Sequence, residues 1–338
     1  MDTHNKIFWK IFLTGITFFV ILISCGKKET KNNDSKIISD DSSHIFMANQ
    51  FYFVAKYGGR ESLYRFDFKN QTHKLFWFDK KDKVIELLPN DDYRFVFFIT
   101  ARRMGIKQGI PYIKGIKLYL LNPVNSSVTL IDKIDEAVQL FAEWDNDNFH
   151  LQYTSFDLNI ASQINKVSQI YSRFGKLLDE KLDKFDIIRE GYPSFKKKNL
   201  KLISPSGAYG LAVKNDSLIL RIAENVNSIF IDSTEQSINR IKWIRNERYV
   251  IFSTVNKDLN KQTKNLQSYY YIVDLKKKKT IAKLSGNGRT DFFVINNLLI
   301  YDEGTGTNKS VIIYDFKNVS TIKKIHLYGG CSLISLNI

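Results

Sequence analysis

The stretch that decides the fold is Ile312-Ile313-Tyr314-Asp315, an apolar run that ends on an acidic residue and precedes a turn. Comparable runs ending on Asp or Asn occur earlier, at Tyr64-Arg65-Phe66-Asp67, Tyr119-Leu120-Leu121-Asn122 and Tyr271-Ile272-Val273-Asp274. Asp and Asn suit this last position because their side chains bond to the backbone of the following turn. Asp67 and Asp315 are 248 residues apart. Five equal steps across that distance predict a repeat of about 50 residues.

A second unit, two strands joined by a short polar turn, accompanies these runs. Its turns are Pro89–Asp92, Asp145–Asn148, Ser204–Gly207, Arg245–Glu247 and Asn296–Asn297. Val, Ile, Phe and Tyr dominate on both sides of each turn, which is typical of β-strands. Two such hairpins per repeat give four strands, and that is the size of one blade of a β-propeller.

We therefore predict an all-β fold, a six-bladed β-propeller over residues 44–338, because about six repeats of this length fill that span. A seven-bladed ring is the main alternative, since the region near 135–235 is the least regular. Within it, Ile164–Phe174 and Leu177–Asp186 are also compatible with a short helix. A two-domain β-sandwich is the other architecture compatible with this strand pattern.

The two ends of the chain predict how the ring closes. The first blade shows three strands, at Phe51–Lys56, Ser62–Phe68 and Lys74–Phe78, and lacks an innermost one unless His44–Ala48 supplies it. The chain ends with a strand-like run, Cys331–Ile338. We expect this C-terminal strand to close the first blade, because pairing there covers both free edges.

Residues 1–24 have the features of an export signal. Lys6 and Lys10 precede the apolar run Ile11–Ile23, which is too short for the roughly 20 residues of a membrane-spanning helix. The tetrad Leu22-Ile23-Ser24-Cys25 resembles a bacterial lipobox. That resemblance implies a lipoprotein, with cleavage before Cys25, lipidation of its thiol and acylation of the new N-terminus. An ordinary signal peptide or an uncleaved anchor is the alternative.

The residues after the lipobox bear on localisation. Gly26 stands where an Asp retains many lipoproteins at the inner membrane, so the sequence favours the outer membrane of the cell envelope. Residues 25–43 are rich in Lys, Asn, Asp and Ser, a composition that predicts a flexible tether.

A further resemblance is carried by the run Ser204–Ala212. Its sequence, SPSGAYGLA, is similar to the blade motif of TolB-like propellers, and Trp243–Phe252 resembles a degenerate copy. Ser206 replaces the acidic residue that is usual in the motif. The resemblance implies a propeller fold and an extracytoplasmic interaction module.

The charge of the chain favours anionic partners. Of its 338 residues, 50 are Lys or Arg and 35 are Asp or Glu, giving a net charge of +15. An exported, lipid-anchored protein rarely meets nucleic acid, so we expect surfaces or acidic polymers instead. Two long connections, Ala101–Gly115 and Asn256–Gln267, should share one face of the ring and carry a single acid, Asp258. Their candidate ligand-binding residues are Arg102, Arg103, Lys107, Lys114, Lys257, Lys261 and Lys264.

Motifs for metal, cofactor or nucleophile chemistry are weak. Asp145-Asn146-Asp147-Asn148 lacks the glycine and the twelfth-position Glu of a calcium loop and is predicted to be a turn. No Gly-x-Ser-x-Gly elbow occurs. The histidines His73, His150 and His326 fall in predicted strands. Cys331 is the only thiol besides Cys25, so we expect no intrachain disulfide. We predict no metal, cofactor or catalytic residue.

The leading functional hypothesis is a lipid-anchored binding module for an envelope protein or an acidic polysaccharide. The alternative is a propeller-type lyase or glycan hydrolase. It would need convergent acids or tyrosines near the axis, such as Glu86, Glu143 or Tyr153. A third hypothesis is a structural subunit of an envelope assembly.

Overall fold

The fold is nearly all-β, as the sequence predicts. The computed structural model describes residues 50–91, 93–107, 110–156, 163–190, 193, 201–214, 217–223, 225–233, 236–244, 247–256, 268–286, 292–305 and 307–328. These residues belong to one compact unit, Phe46–Ile338. They form twenty-three strands and one helical turn, and the strands make six antiparallel sheets.

The strands follow one another along the chain with short connections. In sheets 1 to 3 they are β1 (Gln50–Tyr57), β2 (Arg60–Asp67), β3 (Thr72–Trp77), β4 (Lys83–Pro89), β5 (Val96–Ala101), β6 (Arg103–Lys107), β7 (Ile110–Asn122), β8 (Ser127–Ala137), β9 (Gln139–Asp145), β10 (Asn148–Phe156), β11 (Gln163–Ser172) and β12 (Leu177–Asp186). The helical turn α1 (Ile187–Glu190) follows. In sheets 4 to 6 they are β13 (Tyr209–Lys214), β14 (Ser217–Ile222), β15 (Asn225–Ser233), β16 (Gln236–Ile244), β17 (Tyr249–Asn256), β18 (Ser268–Asp274), β19 (Lys279–Gly286), β20 (Phe293–Ile295), β21 (Leu298–Thr305), β22 (Asn308–Asp315) and β23 (Ser320–Tyr328).

Each sheet is built from strands that are consecutive in sequence. Sheet 1 is β1-β2-β3, and sheets 3, 5 and 6 are four-stranded. Sheet 2 has the order β4-β5-β7-β8, with β6 added alongside the first part of β7. Sheet 4 is β13-β14-β15, and an isolated bridge between Ile203 and Gly210 adds a rudimentary strand before β13. The predicted strand-turn-strand repeat is therefore present in every sheet.

Two details of the irregular region are now defined. Ile164–Phe174 and Leu177–Asp186 contribute the strands β11 and β12, so the helix compatible with their sequence does not form. The two strands pair along most of their length, with Gln169 opposite Glu180. A side-chain bond of 2.7 Å from Gln169 Nε2 to Glu180 Oε2 reinforces that register.

The acidic residue at the end of a repeat caps the turn that follows it. The tetrapeptide Asp-Phe-Lys-Asn occurs twice, at 67–70 and at 315–318. Asp67 Oδ1 accepts bonds from the amides of Lys69 and Asn70 at 2.8 and 3.2 Å. The equivalent distances at Asp315 are 2.8 and 3.1 Å. The amide of Asn70 is the main reason that the pKa of Asp67 lies below its usual value.

Hydrophobic clusters join neighbouring sheets. Phe51 and Phe53 of sheet 1 belong to one cluster with Val84 and Phe98 of sheet 2 and with Phe293 of sheet 6. The first and last described sheets are thus neighbours. Three more clusters join sheet 2 to sheet 3, sheet 4 to sheet 5 and sheet 5 to sheet 6.

Two tryptophans bond from one sheet to the preceding one. Trp144 Nε1 of sheet 3 donates to the carbonyl of Leu88 in sheet 2 at 2.8 Å. Trp243 Nε1 of sheet 5 donates to the carbonyl of Lys201, next to sheet 4, also at 2.8 Å. The two tryptophans are 99 residues apart, which is two repeats. Trp144 is buried, so its indole N–H needs such an acceptor, whereas Trp243 is only partly buried. Each bond helps to fix how one sheet sits on the next.

Tyrosines make a second set of contacts at the same two junctions. Tyr171 donates its hydroxyl to Asp132 of sheet 2 at 2.6 Å, and Tyr271 donates to Asp232 of sheet 4 at 2.6 Å. Asp232 also accepts a bond from Lys283 Nζ at 2.6 Å. Burial, followed by the bond to the aspartate, raises the pKa of both tyrosines, so both phenols remain protonated donors at neutral pH.

The TolB-like motif forms the predicted turn. The amide of Ser204 donates to the carbonyl of Tyr209 at 2.9 Å, and Gly207 has the left-handed φ of +79° that the turn needs. Ser206 donates both its amide, at 2.5 Å, and its hydroxyl to the carboxylate of Glu247. Glu247 lies in the corresponding turn of the next sheet. It thus provides a carboxylate beside Ser206, the position at which the motif usually has an acidic residue.

Several sequence predictions lie outside the described residues. These are the signal segment 1–24 with Cys25, the tether 25–43, the strand candidate His44–Ala48, and the closing strand Cys331–Ile338 with its free thiol. The innermost strand of the first blade therefore stays a prediction. None of the helices among the described residues is long and apolar enough to cross a membrane.

One turn residue is strained. Val319, in the β22–β23 turn, has φ +55°, a conformation that costs a β-branched residue about 1–2 kcal/mol. We predict that Val319→Asn raises the free energy of unfolding by about 0.5–1 kcal/mol, because Asn tolerates this conformation. Chemical denaturation measures the change. Val124→Asn is the control, since Val124 is an exposed turn residue whose φ is not positive. Equal gains from both variants would contradict the strain.

Candidate functional site

Three of the seven candidate cations can be placed with their side chains. Arg102, Arg103 and Lys114 are exposed at one end of sheet 2. Lys107 is the last residue of β6, and only its backbone is described. The remaining candidates, Lys257, Lys261 and Lys264, lie outside the described residues together with Asp258.

The segment Ala101–Gly115 is a β-hairpin and not the loop that the sequence predicted. Strand β6 pairs with the first part of β7, with Met104 opposite Ile113 and Gly105 opposite Tyr112. The pairing is regular, from Arg103 opposite Lys114 to Lys107 opposite Ile110. The cations at its base are therefore held on an ordered extension of sheet 2.

Gly115 allows the hairpin to join the sheet. Its φ is +62°, and a Cβ there would lie 2.9 Å from Arg102 Cβ. The amide of Arg102 donates to the carbonyl of Lys114 at 2.9 Å, directly beside this glycine. A left-handed residue at this position redirects β7 from the hairpin into the main sheet.

Asp82 anchors the base of the hairpin. Its side chain is fully buried, and its two oxygens lie 2.5 Å from Lys117 Nζ and 3.5 Å from Arg102 Nε. The bond to Asp82 is the main cause of the raised pKa of Lys117. A buried carboxylate is costly unless it is paired, so this cluster fixes where both cations sit.

Asp79 holds the connection between β3 and β4 through hydrogen bonds to the backbone. Asp79 Oδ1 accepts the amides of Lys81 at 2.6 Å and of Asp82 at 3.0 Å. These two bonds, that of Lys81 first, hold the pKa of Asp79 below its usual value. Lys80 and Lys81 are exposed on the outside of this turn.

An aromatic pair lies beside this connection. Tyr57, at the end of β1, and Phe78, just after β3, have ring centroids 5.2 Å apart and an interplanar angle of 77°. Arg60 pairs with Tyr57 across the β1–β2 turn, and its Nη1 donates to the carbonyl of Lys81 at 3.2 Å. The two connections of sheet 1 are thus tied to each other.

A second aromatic ring lies on the hairpin. Arg103 Cζ is 5.9 Å from the centre of the Tyr112 ring, and Lys114 Nζ is 6.0 Å from it. Lys114 also pairs with Glu136 of β8 at 2.8 Å, a contact in which both side chains are partly exposed. These distances are typical of cation–π contacts.

These contacts form one continuous surface, which we call the basic–aromatic face. It runs from the β1–β2 turn through the β3–β4 connection to the β6–β7 hairpin. Its members are Tyr57, Arg60, Phe78, Lys80, Lys81, Arg102, Arg103, Tyr112 and Lys114. Three carboxylates beside it are already bonded, Asp82 to cations, Asp79 to backbone amides and Glu136 to Lys114, and Glu61 follows Arg60 in β2. The face therefore presents positive charge next to aromatic rings.

The residues considered for catalysis do not form a comparable site. Glu86 lies in β4 and Glu143 in β9, the first strands of two successive sheets. Burial, with the charges of Asp132 and Glu180, raises the pKa of Tyr153 to about 12, which does not suit a general base near neutral pH.

The remaining motifs are structural. His73, His150 and His326 lie in β3, β10 and β23 of three different sheets, as strand residues. The segment Asp145–Asn148 is the predicted turn, with Asn146 at φ +54°. Within the part of the chain that the structure describes, no group of three or more His, Cys, Asp or Glu could hold a metal ion.

Sequence reasoning missed the aromatic members of the face and the role of Asp82. The signal for Tyr57 is its position before Gly58-Gly59, a pair that favours a tight hairpin and leaves the preceding residue at the edge of the sheet. Asp82 gave no comparable signal, because its neighbours Arg102 and Lys117 are 20 and 35 residues away in sequence.

Comparison with known proteins concerns the fold alone. No protein-family model matches the chain, and no curated protein matches it. Among solved structures, TolB from Acinetobacter baumannii is similar, with 9% identity, a TM-score of 0.41 and alignment over 84% of this chain and 65% of that chain. This alignment spans less than two thirds of TolB.

Two further solved structures are similar. A candidate 6-phosphogluconolactonase from Bacteroides uniformis has 10% identity and a TM-score of 0.43, over 84% of this chain and 98% of its own. An oligogalacturonate lyase in complex with manganese has 9% identity and a TM-score of 0.31, over 81% and 73%. Similarities at this level carry no argument about what this chain binds or does.

The Asp82 cluster gives a test of how the face is held. We predict that Asp82→Asn lowers the free energy of unfolding by about 1–3 kcal/mol, because it leaves Lys117 and Arg102 without a buried carboxylate. Asp91→Asn is the matched control: Asp91 is 90% exposed and 4.0 Å from Lys242, so its loss should cost less than about 0.5 kcal/mol. Urea denaturation of both variants measures the difference. Equal losses would show that Asp82 does not anchor the hairpin.

The lowered pKa of Asp79 predicts that the stability of the fold depends on pH. Because the folded pKa of Asp79 is lowered from 3.8, its charge stabilises the fold above that pH, and this contribution is lost as the pH falls through the folded pKa. Asn keeps the amide acceptor but not the charge, so any advantage of the wild type over Asp79→Asn should shrink below about pH 4. Denaturation midpoints measured from about pH 3 to about pH 6 test this expectation. A constant difference would contradict it.

Proposed function

We propose that this chain is a six-bladed β-propeller of the TolB-like kind. Six consecutive antiparallel sheets support this, as does the hydrophobic cluster that places sheet 6 against sheet 1. An open row of sheets would leave one face of sheet 1 and one of sheet 6 bare. Yet Phe51–Ala55 of β1 and Ser310–Tyr314 of β22 are buried without interruption. Since side chains of a strand alternate between its faces, both sheets are covered on both sides.

We further propose that the protein is exported and anchored to the outer membrane through lipidated Cys25, with residues 25–43 as its tether. The lipobox-like tetrad and the basic, apolar start of the chain support this proposal. Several acyl chains together give a stable anchor, since one chain alone binds only marginally.

The proposed function is non-enzymatic binding of an acidic polysaccharide of the cell envelope through the basic–aromatic face. The observation that carries it is the charge of this face: Asp82, Asp79 and Glu136 are already bonded within the fold, while Lys80, Lys81 and Arg103 are exposed. A surface with one sign of uncompensated charge concentrates polyanions and steers them to it.

The test is a charge-neutralised variant, Lys80→Gln/Lys81→Gln/Arg103→Gln, measured on immobilised alginate with the full-length lipidated protein in detergent. Three exposed contacts of about 0.5–1 kcal/mol each should weaken binding about 10- to 100-fold and lower the salt needed for elution. The control variant Lys276→Gln/Lys277→Gln/Lys279→Gln removes the same charge from exposed residues near the β18–β19 turn.

The two variants separate local recognition from net charge. The control turn lies at the end of its sheet opposite the β17–β18 connection, so the propeller arrangement places it away from the basic–aromatic face. Binding that the control weakens as much as the first variant does would indicate general attraction and overturn the proposal. Binding that neither variant weakens would overturn it as well.

A further inference from the structure

We propose that Tyr57 and Phe78 form a subsite that stacks on the pyranose ring of a uronic acid, so the ligand is a uronate-containing polysaccharide. This inference rests on the proposed function, because it names the ligand class of the same face. The subsite differs from the charge-based function because it depends on apolar contact and not on charge.

The two rings are accessible. Tyr57 is 48% exposed and Phe78 is 36% exposed, and they contact each other edge to face. In such a pair only one ring has a face covered by its partner. The other ring keeps both faces free of this contact, and part of the pair is accessible to a ligand.

The space next to Tyr57 is open as well. Gly58 and Gly59 form the β1–β2 turn with φ values of +56° and +78°, as a tight hairpin turn requires. A Cβ built on either glycine would meet no atom within 4 Å. The hairpin therefore ends in a low, smooth surface beside the aromatic ring.

The positions of the rings are fixed before a ligand arrives. Tyr57 is in register opposite Arg60, whose guanidinium holds the carbonyl of Lys81. The two hydrogen bonds that Asp79 accepts fix the backbone directly after Phe78. Little conformational entropy remains to be lost in this connection on binding, which favours affinity from a small contact.

Three cations stand close to the pair in sequence. Arg60, Lys80 and Lys81 lie within the turn segments that carry the two rings. A uronic acid presents apolar C–H groups on its ring face and a carboxylate at its edge. Aromatic rings carry negative charge on their faces and attract the C–H groups, while the cations attract the carboxylate.

Other polymers match this combination less well. Polyphosphate has the charge without a ring, and neutral dextran has rings without the charge. A protein partner would bury about 800 Å² of this face, of which two rings flanked by cations would be only a small apolar part. The aromatic pair next to cations therefore favours a charged sugar.

The experiment measures binding of the full-length lipidated protein to alginate and to polyphosphate of matched charge. We expect Tyr57→Ala and Phe78→Ala each to weaken alginate binding about tenfold and to change polyphosphate binding by less than about twofold. Tyr57→Phe should retain alginate binding, since it keeps the ring. Phe174→Ala is the control: Phe174 is 65% exposed and lies in the β11–β12 turn, away from the face.

The outcomes distinguish the two proposals. Unchanged alginate binding in both alanine variants, or equal losses for alginate and polyphosphate, would overturn the sugar subsite while the charge-based function stands. A wild-type protein that binds neither polymer would overturn both. Loss of alginate binding in Phe174→Ala to the same extent would also overturn the subsite, because the effect would then not be local.

Discussion

The rest of the structure depends on the burial of both faces of its inner strands. In β5 all six residues, Val96–Ala101, are buried, and in β17 the run Val250–Thr254 is buried too. Because neighbouring side chains of a strand point to opposite faces, each such sheet needs another sheet on either side. The inter-sheet bonds of Trp144 and Trp243 then fix how successive sheets are placed. Outer strands such as β12, which is largely exposed, are free of this constraint.

The same constraint explains where recognition can reside. Side chains within the sheets are needed for packing, so the ends of the strands are what remains for binding. Asp82 is the point at which packing determines the geometry of the surface, since a carboxylate buried at the end of sheet 2 pairs with Lys117 of β7 and Arg102 before β6. Moving either cation would leave a buried charge unpaired. The basic–aromatic face is therefore held by the core and not by flexible loops.

Sequence reasoning predicted the all-β fold and its strand-turn-strand units because the repeat is local. An aspartate such as Asp67 or Asp315 caps the turn directly after it, so its signal lies within a few residues. The sequence pattern is least regular near 135–235. In that region buried and partly buried residues alternate along β10 and β14, so the two faces of these strands are unequally covered. The hairpin within Ala101–Gly115 has no local signal, because Ile110–Ile113 is a continuous apolar run without the period-two alternation typical of a half-buried strand. The contacts of Asp82 and of the pair Tyr57 and Phe78 join distant parts of the chain, and no local pattern encodes them.

The direction of β1 relates the proposed anchor to the proposed site. The tether would join the chain near Gln50, where β1 begins, whereas Tyr57 stands at the other end of the same strand. Eight residues of strand span about 24 Å. A lipid anchor at the first end would place the basic–aromatic face on the far side of sheet 1 from its point of attachment. Because the proposed tether, residues 25–43, is flexible, the domain is free to turn on it, and the face is free to reach a polymer outside the bilayer. The anchor and the charges are thus consistent with one partner, an acidic polysaccharide outside the bilayer.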